Sequence, residues 1–462
     1  MIQGRSGGVC AGVSCWLAIG TLLLPGSLLA LGETQNVRGV GMGKTYAAVS
    51  QGLEAAGLNP ANLALDEHWL TIGVAPVGFH AGGDVFSYDV YTNFFSGVES
   101  PTGFEGRYLA EAEKTQIMSR FEGQDFGESF ADFGARLLGI SVRLPYTGVL
   151  AFTVTDYAGA SLKFPQDLAE FVLYGNPLGS VYDFHDTDLS AEWIRAYTLS
   201  FGAKIADVGV FDWLAVGAGV KLVHGYAFYE ILHSDSHLET SEYGVLTGDV
   251  DFLARTAESS TLKATGFDVF PVPAGQGFGF DLGLSAGLTS DLSLGTSLTD
   301  VGSVLWTANT EEVYSDTMLV IDNPLDPDQQ KAILNAVKGD SRRDVGPFST
   351  RLPTKVRVGL ALETNLPGGL VLGFDYVQAL HEGPGASTNP RFSFGAEYIM
   401  LPFLPLRAGI ATGGAQETAV AAGLGLHAGP LAIDLATDNI GWIVAPSTTS
   451  YGSFSVSAAL RL

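Results

Sequence analysis

The stretch GFGFDLGLSAGL, residues 277–288, sets an apolar side chain at every second position, with glycine, serine or aspartate between. A period of two is the mark of a β-strand with one apolar face and one small or polar face. The pattern recurs along the chain. Val356, Val358, Leu360 and Leu362 alternate with Arg357, Gly359, Ala361 and Glu363, and Leu370, Leu372, Phe374 and Tyr376 alternate with Val371, Gly373 and Asp375. Leu138-Ile140-Val142-Leu144 and Leu214-Val216-Ala218-Val220-Leu222 repeat it earlier in the chain. Roughly 14 to 16 such segments of about ten residues follow one another, the length that a tilted membrane strand needs.

The second face decides what the apolar face meets. In a soluble sandwich two apolar faces meet and large branched residues fill the space between. Here the chain has 59 glycines, poor filling for such a core. Its alternate positions also carry charges that suit a lumen: Lys204, Lys221, Asp281, Arg357, Glu363, Asp375, Glu397, Arg407 and Asp434, with His427. A closed barrel gives the apolar face to lipid and removes the strand edges that lipid would not tolerate. The expectation is therefore an all-β fold, a transmembrane antiparallel β-barrel of about 14 strands with short helical insertions. A secreted soluble β-protein is the competing reading.

Composition agrees. Of 462 residues 46% are hydrophobic and only 16% charged, with a mean hydropathy of +0.23. The balance is 24 basic against 49 acidic residues, a net charge of −25, which speaks against nucleic acid and its phosphates. Residues 1–32 have the form of a secretory signal: Arg5, an apolar stretch from Val13 to Leu31 broken by Pro25-Gly26, and small residues near Ala30 and Gly32. Both cysteines, Cys10 and Cys15, fall inside it, so the exported chain is expected to hold no disulfide. Beyond it no run of about 18 apolar residues announces a membrane helix.

The last ten residues, SFSVSAALRL, alternate once more and resemble the C-terminal strand that outer-membrane assembly machinery reads, with Leu462 in place of the usual aromatic end. Trp69, Trp213, Trp306 and Trp442 stand near strand ends and are candidates for interfacial girdles. Three stretches do not alternate and are read as rim insertions: residues 103–133, 163–195 and 323–342, the last with a short helix from Pro327 to Gly339.

Residues 39–65, GVGMGKTYAAVSQGLEAAGLNPANLAL, are glycine- and alanine-rich and not strand-like. Gly43-Lys44-Thr45 fails as a phosphate loop, because Arg38 stands where the first glycine belongs and no buried strand precedes it. The stretch instead resembles the N-terminal segment of FadL-type outer-membrane transporters and their PorV-like relatives, where a glycine- and alanine-rich sequence ends in Asn-Pro-Ala. The resemblance implies that residues 33–66 form a plug inside a barrel spanning 67–462. It carries the motif onto Asn59, Pro60 and Ala61 as plug or gating residues. Locally, Pro60 restricts Asn59 to an extended or turn geometry, and the Asn59 side chain can bond nearby backbone.

Chemistry is sparse. His233, Asp235 and His237 share one face of any strand, but no further ligand cluster is evident nearby, so no metal and no cofactor is expected. Asp326-x-Asp328 is read as a helix cap rather than a calcium loop. An enzyme is not expected. The reading is an outer-membrane barrel of a Gram-negative cell that passes a small hydrophobic molecule through a plugged lumen. Its expected partners are membrane lipid, that ligand and the assembly machinery. The alternative is a PorV-like scaffold, or a partner of a secretion system, that transports nothing.

Overall fold

The computed structural model describes residues 33–462 apart from 101–102, 106–107, 206–208, 266–267, 324–325, 340, 382–386 and 415. The expected signal over 1–32 lies outside the described residues. Fourteen strands form the wall: β1 (Leu70–Gly83), β2 (Phe126–Leu144), β3 (Gly148–Pro165), β4 (Asp188–Ile205), β5 (Trp213–Ser234), β6 (Gly275–Gly287), β7 (Leu292–Trp306), β8 (Lys355–Thr364), β9 (Leu370–Ala379), β10 (Arg391–Leu401), β11 (Leu404–Gly413), β12 (Gln416–Ala428), β13 (Leu431–Thr437) and β14 (Tyr451–Arg461). Each pairs antiparallel with its neighbours in sequence, and β1 pairs with both β2 and β14, so the sheet closes.

The two faces of this wall explain the alternation. Phe278, Phe280 and Leu282 on β6 are 66%, 53% and 57% exposed, whereas Asp281 between them is 0% exposed. Directly opposed residues share a face, so Leu199, Val220, Phe280 and Val301 make one outer row across β4–β7. Two rows nearer the long loops the outer face turns polar, with Asp156, Arg195, His224 and Gln276 side by side. That row bounds the lipid band. It also places His224 on the outer face rather than in the lumen, because a polar ring is tolerated outside once the hydrocarbon ends. Arg195 is satisfied there by Asp156 at 2.6 and 2.7 Å and by the Val269 carbonyl at 2.9 Å. Phe280→Arg, well inside the band, should cost about 2–4 kcal/mol of folding free energy, read from urea titrations of the barrel refolded into vesicles. A cost near zero would place this face against protein or water instead.

The wall is uneven in height. β5 has 22 residues and β2 has 19, against ten each in β8 and β9. The tall side projects beyond the lipid band. Strand Leu246–Glu258 pairs with the top of β5, and strand Glu311–Ile321 pairs with Leu246–Glu258 in turn. The stretch 103–133 holds helix Glu111–Met118, but β2 already begins at Phe126. Residues 163–195 hold helix Gln166–Tyr174, and β4 begins at Asp188. These strand tops do not alternate visibly, because above the bilayer neither face is forced to be apolar. Phe121, Ile117, Phe164 and Leu173 pack the two helices onto the rim. Helix Pro327–Lys338 is capped by Asp326, whose carboxylate accepts from the Asp328 and Gln329 amides at 2.8 and 3.4 Å. Trp306 is no girdle residue: it points inward at the end of β7, fully buried against Phe228 and Phe348.

Candidate functional site

Residues 33–66 lie against the inner face of the wall, and their own sequence gives them a compact path. Asn36 caps helix Val37–Gly41 by accepting from the Gly39 amide at 2.9 Å. Gly43 and Lys44 then turn the chain at φ 69° and 64°. A 3-10 turn, Pro60–Leu65, follows, with Pro60 in its first turn and Asn59 as its cap. Asn59 and Asn62 both donate to the Ala47 carbonyl, at 2.8 and 3.0 Å, closing the segment on itself. Asn59 also donates to Ser285 of β6 at 2.9 Å, so the Asn-Pro-Ala turn is tied to the wall.

The segment rests on a belt of inward-facing glycines. A Cβ on Gly217 of β5 would stand 2.2 Å from the Pro60 carbonyl carbon, and one on Gly283 of β6 would stand 2.2 Å from Asn59 Oδ1. The same holds at Gly295 of β7 against the Ala47 carbonyl (2.1 Å) and at Gly409 of β11 against the Met42 carbonyl carbon (2.3 Å). Gly359, Gly373 and Gly395 continue the belt across β8–β10, touching Ala47, Thr45 and Met42. Where the belt lacks glycine it has small or modest side chains: Val149 and Ala151 of β3 meet Leu53 and Leu63, and Ala436 of β13 meets Val37 and Val40. The glycine excess of the composition thus has a place, since backbone packs on backbone without room for side chains.

Charges fasten the segment to the wall. Glu33 bonds Arg357 of β8 at 2.8 Å and Arg391 of β10 at 2.9 Å. Arg38 bonds Glu397 at 2.8 Å; Glu397 bonds Arg407 at 2.6 Å, Arg407 bonds Asp434 at 2.6 Å, and His427 reaches Asp434 at 3.2 Å. Lys44 pairs with Asp438 at 2.6 Å. One oxygen of Asp375 accepts from the amides of Tyr46 and Ala47 at 2.6 and 2.8 Å. Of the nine charged positions expected in the lumen, Arg357, Asp375 and Glu397 touch the segment, and Arg407 and Asp434 extend its network. Lys221 and Asp281 pair at 2.8 Å and, with Asp300, clamp β5 to β6 and β7. Lys204 and Glu363 are exposed at the short-turn end of β4 and β8. Glu33, Arg38, Lys44, Arg391 and Asp438 were not among the lumen or gating residues expected from the sequence. Arg38 and Lys44 carry the one available signal, two cations in an otherwise apolar stretch that require partners.

A second feature lies outside the lumen. A cavity of about 630 Å³ opens on the outer face at the tall side. Its floor is two register rows: Phe79, Phe133, Ala158, Trp193 and Ala227, then Ala131, Ala160, Ala191 and Tyr229. Lys263, Lys338 and Arg342 line its upper edge, with Glu311 bonded to Lys263 at 3.0 Å and to Arg342 at 3.3 Å. On the neighbouring rim residue Glu312, hydrogen bonds from Arg343 and Arg255 hold the carboxyl below its usual range, so this junction stays charged at neutral pH. His233 and His237 stand on the rim beside Asp251 and Asp249, at 3.4 and 4.0 Å. Among the described residues no group of three potential metal ligands occurs.

Residues 60–438 match a family described as a family of unknown function (DUF5723). No curated protein matches the chain. Among solved structures it is similar to the toluene transporter TbuX of Ralstonia pickettii, at 14% identity over 96% of this chain and 100% of that one, TM-score 0.45. It is similar to a FadL homologue of Pseudomonas aeruginosa at 14% identity over 95% and 99%, TM-score 0.44. It is also similar to the toluene transporter TodX of P. putida at 13% identity over 94% and 99%, TM-score 0.45. Likeness at this level assigns neither substrate nor mechanism to this chain.

Proposed function

The chain belongs to the DUF5723 family, and we propose that it is an outer-membrane barrel that passes a small hydrophobic molecule, with residues 33–66 as its plug and Asn59-Pro60-Ala61 as the plug's hinge. The observation that carries this reading is the position of the outer cavity. Phe79 and Phe133 form part of its floor, while the adjacent Gly78 and Gly134 face inward and hold Thr34 and Gln35 of the plug. One strand thickness, lined on its inner side by glycine, separates an apolar cavity at the lipid boundary from the plug. The apolar floor suits a hydrophobic guest, and the charged edge would set its orientation. The plug's fastenings are hydrogen bonds and ion pairs to backbone and charged side chains, which water or a guest can replace as the plug shifts.

The test is uptake of a labelled aromatic hydrocarbon into proteoliposomes. Ala160→Phe, which fills the cavity, and Pro60→Ala, which loosens the hinge, should each change the rate by about tenfold, the first downward and the second upward. Unchanged uptake in both variants, with the barrel intact on a gel, would sink the reading. A scaffold role is favoured by one feature of the rim. Met318 and Val320 are exposed on strand Glu311–Ile321, two large apolar side chains on the rim. Capture of a partner by the intact rim, lost on Val320→Lys while hydrocarbon uptake is absent throughout, would favour that role.

A further inference from the structure

Glu33 sits among more positive charge than it can neutralise. Arg357 and Arg391 occupy one register row across β8–β10, on either side of Val377. They divide the Glu33 carboxylate between them, Arg357 Nη2 on one oxygen at 2.8 Å and Arg391 Nη1 on the other at 2.9 Å. Lys355, two residues before Arg357 on the same face, adds its field to theirs. Asp375, on β9 between these two arginine strands, spends one oxygen on the Tyr46 and Ala47 amides, and its other oxygen has no hydrogen-bond partner. Donors also remain: Arg357 Nε, Arg391 Nε and Nη2, and the Oγ of Ser393, which is opposite Asp375 in the register. Arg357 and Ser393 are fully buried.

We propose that these groups form a carboxylate-binding site whose resident is the plug's own Glu33, and that a free carboxylate takes Glu33's place when the plug withdraws. The exchange has a physical reason. Removing Glu33 alone would take from Arg357 and Arg391 the carboxylate that they share, which is strongly unfavourable. An anion that arrives as Glu33 leaves removes that penalty. Two planar guanidiniums presenting one N–H to each oxygen recognise a carboxylate by shape as well as by charge. This inference rests on the reading of residues 33–66 as a movable plug, and it goes beyond it by giving opening a chemical trigger.

The experiment uses the purified full barrel in detergent, with acetate as the probe. Glu33→Ala should raise hydrogen exchange of residues 33–50 by about tenfold. Acetate should bind this variant saturably, as followed by calorimetry, and restore the protection. Arg357→Gln in the same background should abolish both effects. In the unaltered protein, acetate at far higher concentration should compete with Glu33 and raise exchange. If Glu33→Ala does not assemble, Glu33→Ser, which also vacates the carboxylate's position, carries the same comparison. An assembled variant that binds no acetate, or binds it equally well without Arg357, overturns the proposal. No transported solute enters the experiment. Acetate rescue without hydrocarbon uptake would leave this site standing and remove the transport reading, and the reverse result would do the opposite.

Discussion

Trypsin should cut the Gly409→Leu variant at Arg38 and Lys44 while leaving both bonds of the unaltered protein intact. Gly409 sits mid-strand on β11, between Gly395 of β10 and Ala421 of β12. A Cβ there would lie 2.3 Å from the Met42 carbonyl carbon and 2.4 Å from the Gly43 amide nitrogen. Both contacts are with backbone, so no side chain can rotate away, and the segment must leave its seat. Overpacking of this kind costs about 1–3 kcal/mol, which raises the displaced population roughly fivefold to 150-fold. The barrel itself should survive, because the outer neighbours Ala408 and Ile410 are untouched and each strand pair is unchanged. The check is a pair of measurements on one sample: proteolysis of the N-terminal segment, and heat-dependent gel mobility of the barrel. Cleavage with normal mobility is expected. Continued resistance to trypsin would mean that the belt does not seat the segment.

Arg407→Met should destabilise the protein by about 3–5 kcal/mol, because it leaves buried carboxylates without their shared cation. Arg407 bonds Glu397 and Asp434, each at 2.6 Å, and both are buried. Arg38 and His427 remain as partial partners, which is why the loss should not reach that of a wholly isolated charge. The discriminating variant is the double one. Asp434→Asn in the Arg407→Met background should recover part of the loss, since the mutation then removes a charge that has become a burden. The same Asp434→Asn change in the unaltered protein should destabilise. A double-mutant cycle from denaturant midpoints reads the coupling. Additive effects would show that Arg407 acts through packing alone.

How much of this was legible follows from what each region has to satisfy. Between Gly277 and Leu288 lipid and lumen impose opposite compositions on alternate residues, so the strand announces itself and its faces. From Phe126 to Phe133 the same kind of strand stands above the bilayer, both faces are free to be mixed, and the period disappears. The polarity of His224 says little about its face, whereas its place in the alternation with Leu222 and Val220 puts it outside, at the polar boundary. The glycines were visible as an excess, but not as a belt, because what they touch is a segment at the other end of the chain. Pairing Arg38 with Glu397 spans 359 residues, and no local pattern encodes it. The Asn59 turn could be anticipated from Asn-Pro-Ala; its bond to Ser285 could not.

The reach of those bonds bears on how the molecule comes to exist. Arg461, on the strand that closes the ring, bonds Glu54 across 407 residues of sequence at 3.2 Å. Lys44 meets Asp438, and Arg38 meets Glu397, both on the late half of the chain. An N-terminal segment is thus fastened by strands far along the chain, and it directly precedes β1, one side of the closing seam. Contacts so distant in sequence are slow to form. The backbone-to-glycine fit leaves no slack for threading a finished ring from one end. Seating of the N-terminal segment is therefore expected to accompany the curling of the sheet, with pairing of β1 to β14 as the step that locks it in. Seating of the segment and completion of the ring are then expected to be one event in folding.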